Sequence, residues 1–193
     1  MIGAGVCVLV VVVSVVGLAG GLDPAPAGEL PVVAADERYE GEPWNVTVDG
    51  AVVAADLEPA VLQEEGYWLA VLAEVEITAE ESRGDVYEIL CVRDVAGLAR
   101  EPSESIVCPG AVPPDDIRLV RDGSAATTLH PDLPEQVAFL WELARDAEPP
   151  ADVHIQIVGK TYRESSLTGR MEWLDEAPRA QLTIPVEDRR EEV

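Results

Sequence analysis

Tyr67–Thr78 (YWLAVLAEVEIT) constrains the fold of this chain more than any other stretch. Tyr67, Leu69, Val71, Ala73, Val75 and Ile77 alternate with Trp68, Ala70, Leu72, Glu74, Glu76 and Thr78. A period of two puts the first set on one face of a β-strand and the second on the other. The second face is apolar at first and acidic later, as in a strand that leaves the cover of its neighbours. Fully extended, the run spans about 40 Å, long enough to predict a bulge or bend within it.

The same period recurs on both sides. Trp44, Val46 and Val48 alternate with Asn45 and Thr47, Asp49-Gly50 follows as a turn dipeptide, and Ala51–Asp56 makes a second short strand. Asn45-Val46-Thr47 has the form of a glycosylation sequon, but its acceptor lies within a strand. Val86–Val92 is read as a short strand. Ile117–Val120 and Ala125–Leu129 flank the hairpin signal Arg121-Asp122-Gly123-Ser124. Val137, Phe139, Trp141 and Leu143 alternate again, Val153–Tyr162 follows, and Arg170–Leu174 and Ala180–Val186 complete a set of about eight or nine strands. Only Leu57–Glu65 suggests a helical turn or two. So many short strands with frequent turn signals predict an all-β, two-sheet antiparallel sandwich.

Ahead of the strands lies a different kind of segment. Ile2–Leu22 carries no charged side chain, and Asp23-Pro24 ends it. Twenty-one such residues make a helix of about 31 Å, the thickness of a bilayer's hydrocarbon core. The run exceeds the apolar core of a cleaved signal peptide, so it is read as a signal anchor, a single transmembrane helix over 1–22. The competing reading is cleavage at Ala25-Pro26-Ala27. The nearest basic residue beyond the run is Arg38, with Asp23, Glu29, Asp36 and Glu37 between, so nothing holds that flank in the cytoplasm. The expected organisation is a transmembrane helix at 1–22, a juxtamembrane linker at 23–42, an extracytoplasmic sandwich at 43–187 and a charged tail at 188–193.

Acidic side chains number 37 against 13 basic ones, a formal charge of −24, and Lys160 is the only lysine. Such a surface repels nucleic acid and anionic headgroups and leaves cationic partners or loosely held divalent ions. Cys7 lies inside the apolar run. Cys91 and Cys108, an even pair in an oxidising compartment, are expected to form a disulfide worth about 3 kcal/mol.

Gly41–Val48, the strand 67–78, Leu133-Pro134-Glu135-Gln136-Val137-Ala138-Phe139-Leu140-Trp141-Glu142-Leu143 and Ala180–Val186 carry a resemblance. Their order and turn placement over residues 40–187 are similar to those of an actinobacterial family of membrane-anchored or secreted proteins. That family has an immunoglobulin-like sandwich like the mycobacterial immunoprotective extracellular antigen. The resemblance implies an immunoglobulin-like fold and an extracytoplasmic location, and it supplies no catalytic residues. The chain lacks the lipobox cysteine of the lipoprotein relatives.

No residue set predicts catalysis, a cofactor or a metal site. His130 sits in a His-Pro-Asp turn and His154 on the polar face of a strand. Neither has the spacing of a helical zinc site, and Ser165-Ser166 has no placed base. The acid pairs Asp36-Glu37, Glu64-Glu65, Glu80-Glu81 and Asp115-Asp116 are read as solvated charge. Trp44, Trp141 and Trp173 are expected in the core, and Trp68, opposite the apolar face of its strand, is the tryptophan expected at the surface. The expected function is therefore a membrane-anchored, non-catalytic extracytoplasmic binding module of unspecified role, placed where it could contact an envelope protein or another subunit. The alternatives are a secreted form binding a glycan or Ca²⁺ and, third, a carboxylate hydrolase.

Overall fold

The structure, a computed structural model, describes residues 29–60, 66–100 and 107–191. The transmembrane helix expected at 1–22 lies outside these residues. Among the described residues, no helix is long and apolar enough to cross a membrane.

Alternation organises what is seen. The strands are β1 (Arg38–Tyr39), β2 (Trp44–Ala54), β3 (Gly66–Ile77), β4 (Leu90–Arg93), β5 (Asp116–Leu119), β6 (Glu135–Ala144), β7 (Asp152–Glu164) and β8 (Met171–Asp188). A single 3₁₀ turn, Val86–Glu88, precedes β4. Along one sheet the order is β2-β3-β6-β5, with β1 beside β2; along the other it is β8-β7-β4. All these pairings are antiparallel. β8 joins the two sheets, because its end, Val186–Asp188, runs parallel to Ala51–Val53 of β2. The inward residues of both sheets form one core: Val46, Val71, Val75 and Phe139 from the first, Leu90, Ile155, Ile157 and Leu182 from the second.

Two tryptophans fasten the layers. Trp44 Nε1 donates to the Val158 carbonyl at 2.6 Å and Trp141 Nε1 to the Val112 carbonyl at 3.0 Å. Each indole buries its rings without orphaning its N–H.

Several expectations are corrected. Asp49-Gly50 does not turn the chain: β2 is continuous, and its register with β3 shifts between Val48 and Gly50. The bulge moves the inward set from Trp44, Val46 and Val48 to Ala51 and Val53, since one extra residue flips a period of two. The irregularity predicted within residues 67–78 lies in this partner strand instead, and β3 pairs with β6 without interruption. Ala125–Leu129 is not a strand. After the Arg121–Ser124 turn, where Gly123 has φ 69°, these residues make only bridges, Arg118 to Ala125 and Arg83 to Leu129. The strands expected at 170–174 and 180–186 are one, β8. Pro178, which has no N–H, is accommodated opposite Val158 where the register with β7 shifts.

The expected linker and tail are also partly built in. Val33 N–H donates to Gln181, Gln181 N–H to Pro31, and β1 pairs with β2, so the chain joins the sandwich well before residue 43. At the other end Arg189 N–H donates to the Val53 carbonyl. Trp68 is buried in a second small cluster with Ala60, Ala70 and Leu140, under the 57–60 turn. Residues 57–60 form a tight bridge and not a helical turn.

Cys91 of β4 is bonded to Cys108, 17 residues on, and both are buried with Ala111 and Val158 on the outer face of the β4-β7 pair. Opening the bridge, by reduction or as Cys91→Ala with Cys108→Ala, is expected to lower the unfolding free energy by about 3 kcal/mol. The urea midpoint measures this; a loss under about 0.5 kcal/mol contradicts it.

Candidate functional site

β7 and β8 run on together past the sandwich. Pairs Thr161–Leu174, Tyr162–Trp173, Arg163–Glu172 and Glu164–Met171 form an overhanging hairpin. At its tip Leu167 is 95% exposed, and Tyr162 and Met171 are half exposed. The hairpin is braced by Arg163, whose guanidinium donates to both Asp175 oxygens. This bond holds the Asp175 carboxyl below its usual range.

The hairpin rises from a buried ammonium. Register shifts flank Gly159 and Lys160, and they re-aim three neighbours: Ile157 into the main core, Val158 against the disulfide and Lys160 toward the 85–88 turn. Lys160 Nζ meets Asp85 at 2.6 Å, Glu88, and Glu176 at 3.3 Å, while its side chain is 4% exposed. Burial works against the charged ammonium, but the Asp85 and Glu88 carboxylates outweigh it and raise the Lys160 pKa. Burial likewise works against ionised Asp85, and hydrogen bonds from Arg83 and Lys160 outweigh it, so that carboxyl titrates below its usual range. A lysine with three carboxylates is anchored in place.

The backbone around it is equally close. Lys160 N–H donates to the Glu42 carbonyl, and Thr78 and Ala79 N–H donate to the Pro43 carbonyl. A Cβ at Gly159 would lie 3.0 Å from the Glu42 oxygen and 2.8 Å from Arg179 Cγ, so glycine permits this approach.

Between the hairpin, residues 78–83 and Glu42 lies a cleft of about 580 Å³. Tyr162, Met171 and Trp173 form one wall, with the Tyr162 and Trp173 ring centroids 4.9 Å apart. Glu42, Glu80, Glu81 and Glu172 bring carboxylates to it. Arg83 lies over the Trp173 ring at 5.9 Å, but its Nε is bonded to Asp85 at 2.9 Å. Among the described residues, no basic side chain pairs with Glu42, Glu80 or Glu81.

The other sequence candidates disperse. His130 Nδ1 is 2.7 Å from the Ser82 hydroxyl, a pair that sequence separation hides. Among the described residues no carboxylate bonds to this imidazole as the third member of a triad would. His154 pairs with Thr183 at 2.7 Å on the outer face of β7, beside a separate cavity. Ser165 is buried and receives the Thr168 N–H. Of the acid pairs, Glu80-Glu81 reaches the cleft. Asp115 pairs with Arg100 and Asp116 with Arg118, Glu37 accepts the Ala34 N–H, and Glu64-Glu65 lies outside the described residues. Among the described residues no group of three metal-binding side chains converges. Trp173, expected in the core, stands half-buried at the cleft, and Tyr162 beside it was not singled out by the sequence. The signal for both was the Val153–Leu174 hairpin pattern, which leaves its last pairs no opposing sheet.

No family model matches the chain, and no curated protein matches it. Among solved structures it is similar to an uncharacterized beta-sandwich protein from Clostridium difficile 630, at 9% identity and a TM-score of 0.45, over 84% of this chain and 99% of that one. The resemblance to the actinobacterial family has no support from these comparisons. The two-sheet arrangement stands on the pairing of this chain's own strands.

Lys160→Met is expected to cost stability toward the lower end of about 3–5 kcal/mol, because it leaves Glu88 and Glu176 without a cation and Asp85 with Arg83 alone. The pH dependence has a definite sign. Asp85's depressed pKa gives the native protein stability above about pH 4 that is lost as pH falls through the folded value. Lys160's raised pKa gives stability below about pH 10 that is lost as pH rises through the folded value. Without the lysine Asp85 loses a hydrogen bond that favours its ionised form and protonates more readily, so the gap between the two proteins narrows from about pH 5 to 3. Denaturant melts across that range measure it, and a constant gap contradicts the assignment.

Proposed function

We propose that this chain is a single-pass, membrane-anchored extracytoplasmic module of immunoglobulin type that acts by binding, not by catalysis. The observation that carries the binding reading is the cleft under the β7-β8 hairpin, where exposed aromatic surface and unpaired carboxylates meet on a braced scaffold. Rigid elements bearing exposed apolar groups with a polar rim are how proteins hold partners.

The immunoglobulin assignment is supported by strand order. Leaving β1 aside, the orders β2-β3-β6-β5 and β8-β7-β4 correspond to the ABED and GFC sheets of the constant-type domain. The Cys91–Cys108 bond suits an oxidising compartment, and the length of Ile2–Leu22 suits a span. Pro31 and Val33 already pair with Gln181 of β8, so few residues would separate the sandwich from such a span, which favours a partner at the envelope.

Fractionation of cells producing the full chain tests the reading. The chain is expected in the membrane fraction after alkaline carbonate washing, with its C-terminal end degraded by protease added outside intact spheroplasts. Recovery from the medium with residues 1–27 removed favours a secreted binder instead. Recovery from the cytoplasm overturns the proposal.

A further inference from the structure

We propose that the cleft takes a basic segment of a partner polypeptide, with an arginine or lysine stem lying on Tyr162 and Met171 and its cation held by Glu80, Glu81 and Glu42. This deepens the binding reading above and rests on it.

Charge selects the occupant. Most carboxylates elsewhere on the hairpin and its base already have cations: Asp175 has Arg163, Asp85 has Arg83 and Lys160, Glu176 has Lys160. Among the described residues the one basic side chain that lines the cleft, Arg83, is committed to Asp85. Glu42, Glu80 and Glu81 face the same space without such a partner among the described residues. An apolar occupant would desolvate these carboxylates and return nothing, and a neutral hydroxyl or amide donor returns less than a guanidinium, which satisfies them through charge-assisted hydrogen bonds.

The wall selects the shape of the cation. Tyr162 and Met171 are exposed to 50% and 52%, an apolar face beside the acids. Arginine and lysine carry an aliphatic stem ending in a charge, matching apolar wall and acidic rim in that order. A bare metal ion uses none of the wall. The Arg83–Trp173 contact at 5.9 Å is a guanidinium already resting on the neighbouring ring.

A chain of charge −24 attracts any cation, so the test separates the cleft from diffuse attraction. The full chain in neutral detergent is titrated with a blocked peptide holding two arginines between glycines, and with the same peptide bearing glutamine instead. Tryptophan fluorescence is the readout, since Trp173 lines the cleft. The arginine peptide is expected to bind and the glutamine peptide not to. Glu80→Gln with Glu81→Gln is expected to raise Kd about tenfold, and Tyr162→Ala several-fold. Glu148→Gln with Asp152→Asn, an equal charge change at the far end of β7, is expected to leave Kd within about twofold. Far-UV circular dichroism checks that each variant is folded.

Equal weakening by both double variants means diffuse attraction and overturns the proposal, as does no binding of the arginine peptide. Binding of a neutral glucan oligosaccharide that survives the glutamine pair overturns it in favour of a saccharide. Localisation fails independently: a cytoplasmic chain whose cleft binds the arginine peptide overturns the anchor reading and leaves this one standing.

Discussion

A buried ammonium holds together the place where β7, β8, the 85–88 turn and the entry to β2 converge. Lys160 cannot be taken out of water alone, and Asp85, Glu88 and Glu176 cannot approach one another without it. Together they tie β7, β8 and the 3₁₀ turn at one point. The backbone N–H of the same residue is bonded to Glu42, so the entry to β2 is drawn to that point as well. Arg83 is held in turn by Asp85. The walls of the cleft thus come from segments distant in sequence that share one charged anchor. Replacing the lysine by an apolar side chain of equal length would leave Glu88 and Glu176 without a cation and Asp85 with Arg83 alone, and loosen the joint between these segments.

Register shifts perform the second task. A strand with strict alternation cannot serve both a core and a charged cluster, because successive residues face opposite ways. In β2 the shift near Gly50 keeps apolar side chains inward along the strand. In β7 the shifts around Gly159 let Ile157, Val158 and Lys160 serve the core, the disulfide patch and the carboxylates respectively. The same irregularity lets β8 carry Pro178 and Asp175, with φ 56°, within a strand of 18 residues. The hairpin beyond has no opposing sheet, which leaves Tyr162, Trp173 and Met171 available at the cleft.

Much of the fold was legible because burial on one face imposes a two-residue period. Leu69, Val71, Ala73, Val75 and Ile77 lie in the core, and so do Val137, Phe139, Trp141 and Leu143. Trp68 was misjudged for a physical reason: the outer face of β3 is covered by the 57–60 turn, and alternation says nothing of what lies over the second face. Asp49-Gly50 was misjudged, and β8 was divided in two around Pro178, because residues that favour turns also occur at bulges. The switch from even to odd apolar positions after Val48 was the available clue.

Sequence alone determined the class of the fold, the two-sided pattern of its long strands, the acidity of its surface and the pairing of two cysteines in the sandwich. These follow from local periodicity and composition, which need no knowledge of neighbours. Only the tertiary structure decided where Lys160, Glu80, Glu81, Tyr162 and Trp173 lie and what stands beside each. The lysine and its carboxylates are up to 75 positions apart (85 to 160), and the cleft combines residues from 42 to 173. Charges and rings acquire a role when the sheet brings them within a few ångströms, and no spacing along the chain encodes that distance.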